Sequence, residues 1–195
     1  MADINAVKQK IILATIECIE KNGIQNITIR DIAQNAGVNV AAINYYFGSK
    51  KNLLETTLHL TMDEAYGEFE DALHDPAIDP YFTLRAFLEN TLWGSMNSPG
   101  ITKAHLFNPI YSKDRNNYAF HRNKEFVKLL VDRLVPKGNA AARKQMKFAI
   151  VQMIAAVVMV GMIPELFEQA TGLDFHKDKI QKEFVAHLLD RYFGA

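Results

Sequence analysis

Apolar residues recur along this chain three and four positions apart almost throughout, and no stretch alternates apolar with polar as a half-buried strand would. The first stripe, Val7, Ile11, Ala14 or Thr15, and Cys18 or Ile19, predicts a helix over 6–22, with Gly23 placed to end it. Thr28 begins Thr-Ile-Arg-Asp, a side-chain oxygen followed three residues later by a carboxylate, which starts a second helix running to about residue 35. Residues 36–38 are a short turn containing Gly37, and Asn39 is a good N-cap for a short helix over 40–46. Ser49 then caps a helix over 50–73 that Asp75-Pro76 stops. Further helices are expected over 81–97, 102–111, 115–135, 141–169 and 176–193, separated by Ser98-Pro99-Gly100, Pro136-Lys137-Gly138 and Thr171-Gly172. The expected fold is all-α.

The helix over 40–46 is too short to stand alone, because helix nucleation is costly and short helices barely form in water. Packing from the first helix must hold it. Ile29, Ile32, Val38, Ile43 and Phe47 supply an apolar core, and Ala33 is small enough for close approach, so the pattern reads as a helix-turn-helix. A helical bundle without DNA-binding function can contain the same turn. If the unit does read DNA, Asn44 can donate and accept toward adenine, while Val40, Ala41 and Ala42 can lie against thymine methyls. Tyr45 and Tyr46 carry hydroxyls that can reach phosphate, and the helix N-terminus at Thr28, with Asn39 at the next, offers backbone amides to anions. Lys50 is a candidate phosphate contact and Arg30 a candidate backbone contact, whereas Lys51 is equally well a solvated charge. This divides the chain into residues 1–49, the helix-turn-helix unit, and 50–195, a second helical domain.

Composition adds little. The 195 residues are 49% hydrophobic, enough for a sizeable core, and the formal net charge is zero. Residues 1–51 hold six Lys or Arg against four Asp or Glu, a small local positive excess. The lone cysteine, Cys18, rules out an internal disulfide and reads as a buried small hydrophobe. The first ten residues have no signal-peptide core, and the apolar run over 148–164 contains Gln152 and is too short to span a bilayer, so no membrane is expected and the location is cytoplasmic.

The stretch TIRDIAQNAGVNVAAINYYFGSKKNLL, with IILATIECIEKNG before it, resembles the helix-turn-helix of the TetR family of bacterial transcription regulators. The Thr start, Ile32-Ala33, Ala36-Gly37-Val38, Tyr46-Phe47, Ser49-Lys50 and Leu53 fall in family order. Two positions depart: Asn44 stands where a tyrosine is usual and Ala41 where glycine is usual, so base preference does not carry over. The resemblance implies a double-stranded DNA operator and a homodimer as partners, a small-molecule effector, and a signal carried by the helix that begins at Lys50.

Nine of the twenty aromatic residues fall between Tyr81 and Phe126. They fill a bundle core or line an apolar pocket with a few polar anchors. Candidate ligand-binding residues are Phe87, Trp93, His105, Asn108, Tyr111 and His121. The last helices carry broad apolar faces that cover the bundle in a monomer or, as the resemblance implies, form an intersubunit four-helix bundle, with Val157, Phe184, Leu188 and Tyr192 as dimerisation candidates. No catalytic motif, cofactor motif or metal-binding spacing is present, so neither an enzyme, a cofactor nor a metal site is expected. The rival reading is a helical small-molecule carrier or sensor without sequence-specific DNA binding.

Overall fold

The computed structural model describes residues 4–111 and 118–194, the side chains of 4 and 107–111 excepted. Among the described residues the chain is all-α, with α1 (Ile4–Asn22), α2 (Ile29–Ala36), α3 (Val40–Phe47), α4 (Lys50–His74), α5 (Pro80–Asn97), α6 (Pro99–Tyr111), α7 (Tyr118–Leu134), α8 (Ala140–Met162), α9 (Pro164–Thr171) and α10 (Asp178–Phe193). Two compact units result. The first combines Met1–Asp63 with Gly100–Ala119, the second Glu64–Pro99 with Phe120–Ala195.

In the first unit, Ile11, Ala14, Cys18 and Ile19 of α1 pack with Ile32, Ala33 and Ala36 of α2, Ile43 and Phe47 of α3, and Leu53 of α4. Ile101 and Ala104 of α6 join the same core. The expected break at Pro99-Gly100 is instead the first turn of α6, because proline suits the first helical position and Glu20 caps the turn from α1. The Glu20 carboxylate accepts from the backbone N–H of Gly100 and of Ile101, each at 2.8 Å. Gly100 has no room for a side chain: a Cβ would lie 2.7 Å from the Glu20 Cα and 2.9 Å from the Ile19 carbonyl oxygen.

In the second unit α5 and α8 form the most extensive helix pair, and α10 packs on both. Gly161 permits the approach, since a Cβ there would fall 2.6 Å from the Ser95 Cβ. By length and composition α8 is apolar enough to cross a membrane, with mean hydropathy 1.7, but it buries Ala149, Ile150, Met153, Val157, Val160 and Gly161 inside the protein. The single helix expected over 141–169 is two. Pro164 lacks an N–H and its ring would clash with the preceding turn, so α8 stops at Met162 and Pro164 opens α9. An aromatic cluster joins Phe87 to Phe126 at 4.4 Å, Tyr66 to Phe126 at 5.0 Å and Phe69 to Phe87 at 5.5 Å between ring centroids. Burial pushes the Tyr66 phenol up to about 12, and its hydroxyl donates to the Asn123 side-chain oxygen at 2.7 Å.

Candidate nucleic-acid interface

Both ends of α2 are fixed by local chemistry. The Thr28 hydroxyl accepts from the Asp31 N–H at 3.2 Å, and the Asp31 carboxylate accepts from the Thr28 N–H at 2.7 Å, closing a capping box. It also accepts from the Thr28 hydroxyl at 2.7 Å, and these bonds hold the Asp31 carboxyl below its usual range. At the other end Gly37 takes a left-handed conformation (φ 59°), from which its N–H reaches the Gln34 carbonyl and the Val38 N–H reaches that of Ala33. Two residues later α3 begins. The Asn39 side-chain oxygen accepts from the Ala42 N–H at 2.8 Å, so Asn39 is committed through its oxygen to capping.

α3 turns Ile43 and Phe47 into the core and leaves Ala41, Asn44 and Tyr45 exposed, with Tyr45 79% accessible. Val40, Ala42 and Tyr46 are half-buried beside them, and Tyr46 meets Tyr45 edge-to-face at 5.0 Å. This face is small at one end and hydrogen-bonding at the other, which suits close approach to base edges. Neighbouring elements keep it in place. Asn52 of α4 donates to the Phe47 carbonyl at 2.8 Å, and Asn35 of α2 donates to the Ala14 carbonyl at 3.2 Å and to the Glu17 carboxylate at 2.8 Å. Thr28 and Arg30 are exposed; the Lys50 ammonium donates to the Ile27 carbonyl. Cys18 is buried, and burial, with Asp31 nearby, pushes its thiol up. Sequence reading passed over Lys10, whose ammonium lies 3.4 Å from where a Cβ of Gly37 would be, beside the interhelical turn.

Residues 11–57 match the sequence model of the bacterial regulatory proteins, tetR family. Residues 11–57 carry the tetR-family helix-turn-helix segment. Over 51 residues the chain is 41% identical to the HTH-type transcriptional regulator BetI 2 of Chromohalobacter salexigens, a segment covering 26% of this chain and 25% of that relative. It is 26% identical over 175 residues to the nucleoid occlusion factor SlmA of Aliivibrio fischeri, covering 86% of this chain and 85% of that one. In fold it is similar to a transcriptional regulator of Aquifex aeolicus, with a TM-score of 0.72 at 17% identity over 96% of this chain and 99% of that chain.

The expected ligand residues are distributed unevenly. Phe87 is buried in the aromatic cluster, whereas Trp93 is 57% exposed on α5 and His121 is exposed on α7, so neither lines a closed cavity here. The Asn108 and Tyr111 side chains lie outside the described residues. His105 belongs to the first unit, where its Nε2 is 3.0 Å from the Thr61 hydroxyl; burial, with His59 nearby, holds its imidazole down at about 4, so it is neutral. Ala104, one position away, is packed in the helix-turn-helix core.

Among the dimerisation candidates, Phe184, Leu188 and Tyr192 are half-buried on α10, but Val157 is fully buried in the chain's own core. The face of α8 that stays outside carries Phe148, Val151 and Met159, each more than half exposed (52%, 60% and 51%), together with exposed Ala155. Periodicity alone identified α8 as apolar; it did not identify the covered face.

Proposed function

We propose that this chain is a homodimeric DNA-binding transcription regulator, a repressor released from an inverted-repeat operator by a small apolar or amphipathic molecule. The observation that carries the reading is the outward face of α3, where Ala41, Asn44 and Tyr45 are exposed while Ile43 and Phe47 lock the helix to the core. A two-fold dimer would set two such helices into successive major grooves of double-stranded DNA, roughly 34 to 36 Å apart. Residues 1–49 would read DNA, with Thr28, Arg30, Lys50 and Lys10 positioned about the backbone, and 50–195 would bind ligand and dimerise, in the cytoplasm. The dimer face is the exposed stripe of α8, Phe148, Val151, Ala155 and Met159, continued by Phe184, Leu188 and Tyr192 of α10.

The effector enters among the helices of residues 81–163, and its signal reaches the helix-turn-helix by a shift of α4, the helix that begins at Lys50. Movement of α4 displaces α3, because Asn52 donates to the Phe47 carbonyl and Leu53 packs in the helix-turn-helix core. Reversing the bound population from 99:1 to 1:99 requires a preference of about 10⁴-fold for the released state.

Selection of genomic fragments by the full chain tests the reading, with Asn44→Ala as its variant. Sequence preference should weaken by about 1 to 3 kcal/mol per half-site. If the wild-type chain enriches no fragment at low salt, the carrier reading replaces this one.

A further inference from the structure

The largest concentration of positive charge in this chain is not on the helix-turn-helix. Residues 120–150 hold eight Lys or Arg against two Asp or Glu, in a chain whose formal net charge is zero. The three arginines are committed to structure. Arg122 pairs with Glu70 at 2.8 Å; Arg133 donates to the carbonyls of Leu73, Asp75 (3.0 Å) and Ile78 (2.8 Å); Arg143 pairs with Asp132 and donates to the Val135 carbonyl at 3.1 Å. The lysines are not. Lys124, Lys137, Lys144 and Lys147 are exposed and without an ion pair among the described residues, Lys144 lying over the Phe148 ring at 5.8 Å, and Lys128 pairs with Glu125 at 3.9 Å and is well exposed.

These lysines frame a groove. Between α7 and α8 lies a crease of about 520 Å³, with Val127 and fully buried Val131 in its floor and Phe120, 41% exposed, at its end. Lys124 and Lys128 stand four residues apart on one wall and Lys147 on the other. A second depression of about 330 Å³ shares Arg143 and Lys147 and extends the cationic rim to Lys144. Like charges at this helical spacing repel one another; Asp132, already bonded to Arg143, is a carboxylate that partly offsets Lys137 and Lys128, and it leaves Lys124 and Lys147 on the groove walls.

We propose that this groove docks an acidic amphipathic peptide segment of a partner protein, its apolar side chains in the valine-floored crease and its carboxylates on the lysine rim. Such an occupant uses both properties of the site, as helix-in-groove recognition does. A nucleic-acid backbone would leave the apolar floor empty, and the forked guanidiniums best suited to phosphate are already paired. A lipid surface is met by protruding apolar residues, whereas this apolar floor is recessed. The proposal does not depend on operator binding.

Fluorescence anisotropy on the full chain tests it, with a labelled peptide of repeating Glu-Glu-Leu-Phe as probe. Polyglutamate of equal charge, a non-operator DNA duplex and phosphatidylglycerol vesicles are the comparisons. The amphipathic peptide should bind about tenfold more tightly than polyglutamate, and weaken with salt. Combined Lys124→Glu and Lys147→Glu should lower its affinity at least about tenfold and create binding of a Lys-Lys-Leu-Phe repeat, an exchange that only a folded, charge-reading groove produces. If that variant loses its helical circular dichroism, Lys124→Gln with Lys147→Gln provides the loss of affinity instead. Equal binding of polyglutamate, failure of either lysine pair to alter peptide binding, or tighter binding of duplex or vesicles through the same lysines overturns the proposal.

Discussion

α2, α3 and α9 are each eight residues long, yet they are held in opposite ways. α2 and α3 have side-chain caps, from Thr28 with Asp31 and from Asn39. α9 has none: its N-cap is Ile163, its first residue is buried Pro164, and it exists because a proline ends α8. Where a short helix must present a face to a partner, its ends are specified by its own sequence; where it only redirects the chain, a break and some packing suffice. The contrast extends to the long helices. α1 buries one stripe, whereas α8 is apolar on both its buried and its exposed faces.

The largest effect should come from the two faces of α8. Val157→Asp puts a charge at a fully buried position and should destabilise the fold by about 4 kcal/mol or more, read as the urea midpoint. Val151→Asp, at a position 60% exposed, should leave the monomer folded and abolish the proposed dimer in sedimentation. Equal effects of the two would erase the distinction between the faces.

His105 supplies the next. Its ordinary value is near 6.5 and its folded value about 4, so the unfolded chain takes up a proton that the folded one refuses. Stability should therefore be level above about pH 6.5 and fall as pH drops toward 4, by about 2 kcal/mol between pH 7 and pH 5. Urea midpoints of wild type and His105→Gln at both pH values isolate this component, and an identical pH dependence would show that burial of the imidazole does not matter.

Caps give the smaller effects. Thr28→Ala should cost about 1 kcal/mol, with loss of DNA affinity beyond that expected from one hydroxyl, because α2 carries the turn that aims α3. At the uncapped start of α10, Lys177 has extended backbone suited to an N-cap (φ −84°, ψ 121°), and Lys177→Ser should gain about 0.5 kcal/mol in thermal unfolding. A loss there would mean that the exposed Lys177–Asp174 pair at 3.3 Å outweighs a cap.

The same contrast explains what was legible in the sequence. The helix-turn-helix could be read nearly residue by residue, because Thr28, Asp31, Gly37, Asn39 and Ser49 act on backbone groups a few positions away. Nothing local told Val157 from Val151, since an all-apolar helix has no polar side to mark its outside. Pro164 was legible as a breaker but was overridden by the apolar run around it. Glu20 went unnoticed because its partners, Gly100 and Ile101, are eighty positions away, and Pro99-Gly100 looked like a stop when it is a start.

Glu20 and Gly100 also differ in how freely each could drift over generations. Losing the Glu20 carboxylate removes two hydrogen bonds, which glutamine restores in part with one side-chain oxygen. Position 100 has no such latitude: its nearest obstacles include the backbone of Glu20 and Ile19, so no second change of side chain at position 20 would make space. Among descendants of this chain that keep α6 seated on α1, the acid can wander while the glycine cannot, and replacement of the glycine would record a lineage in which that seat had been abandoned.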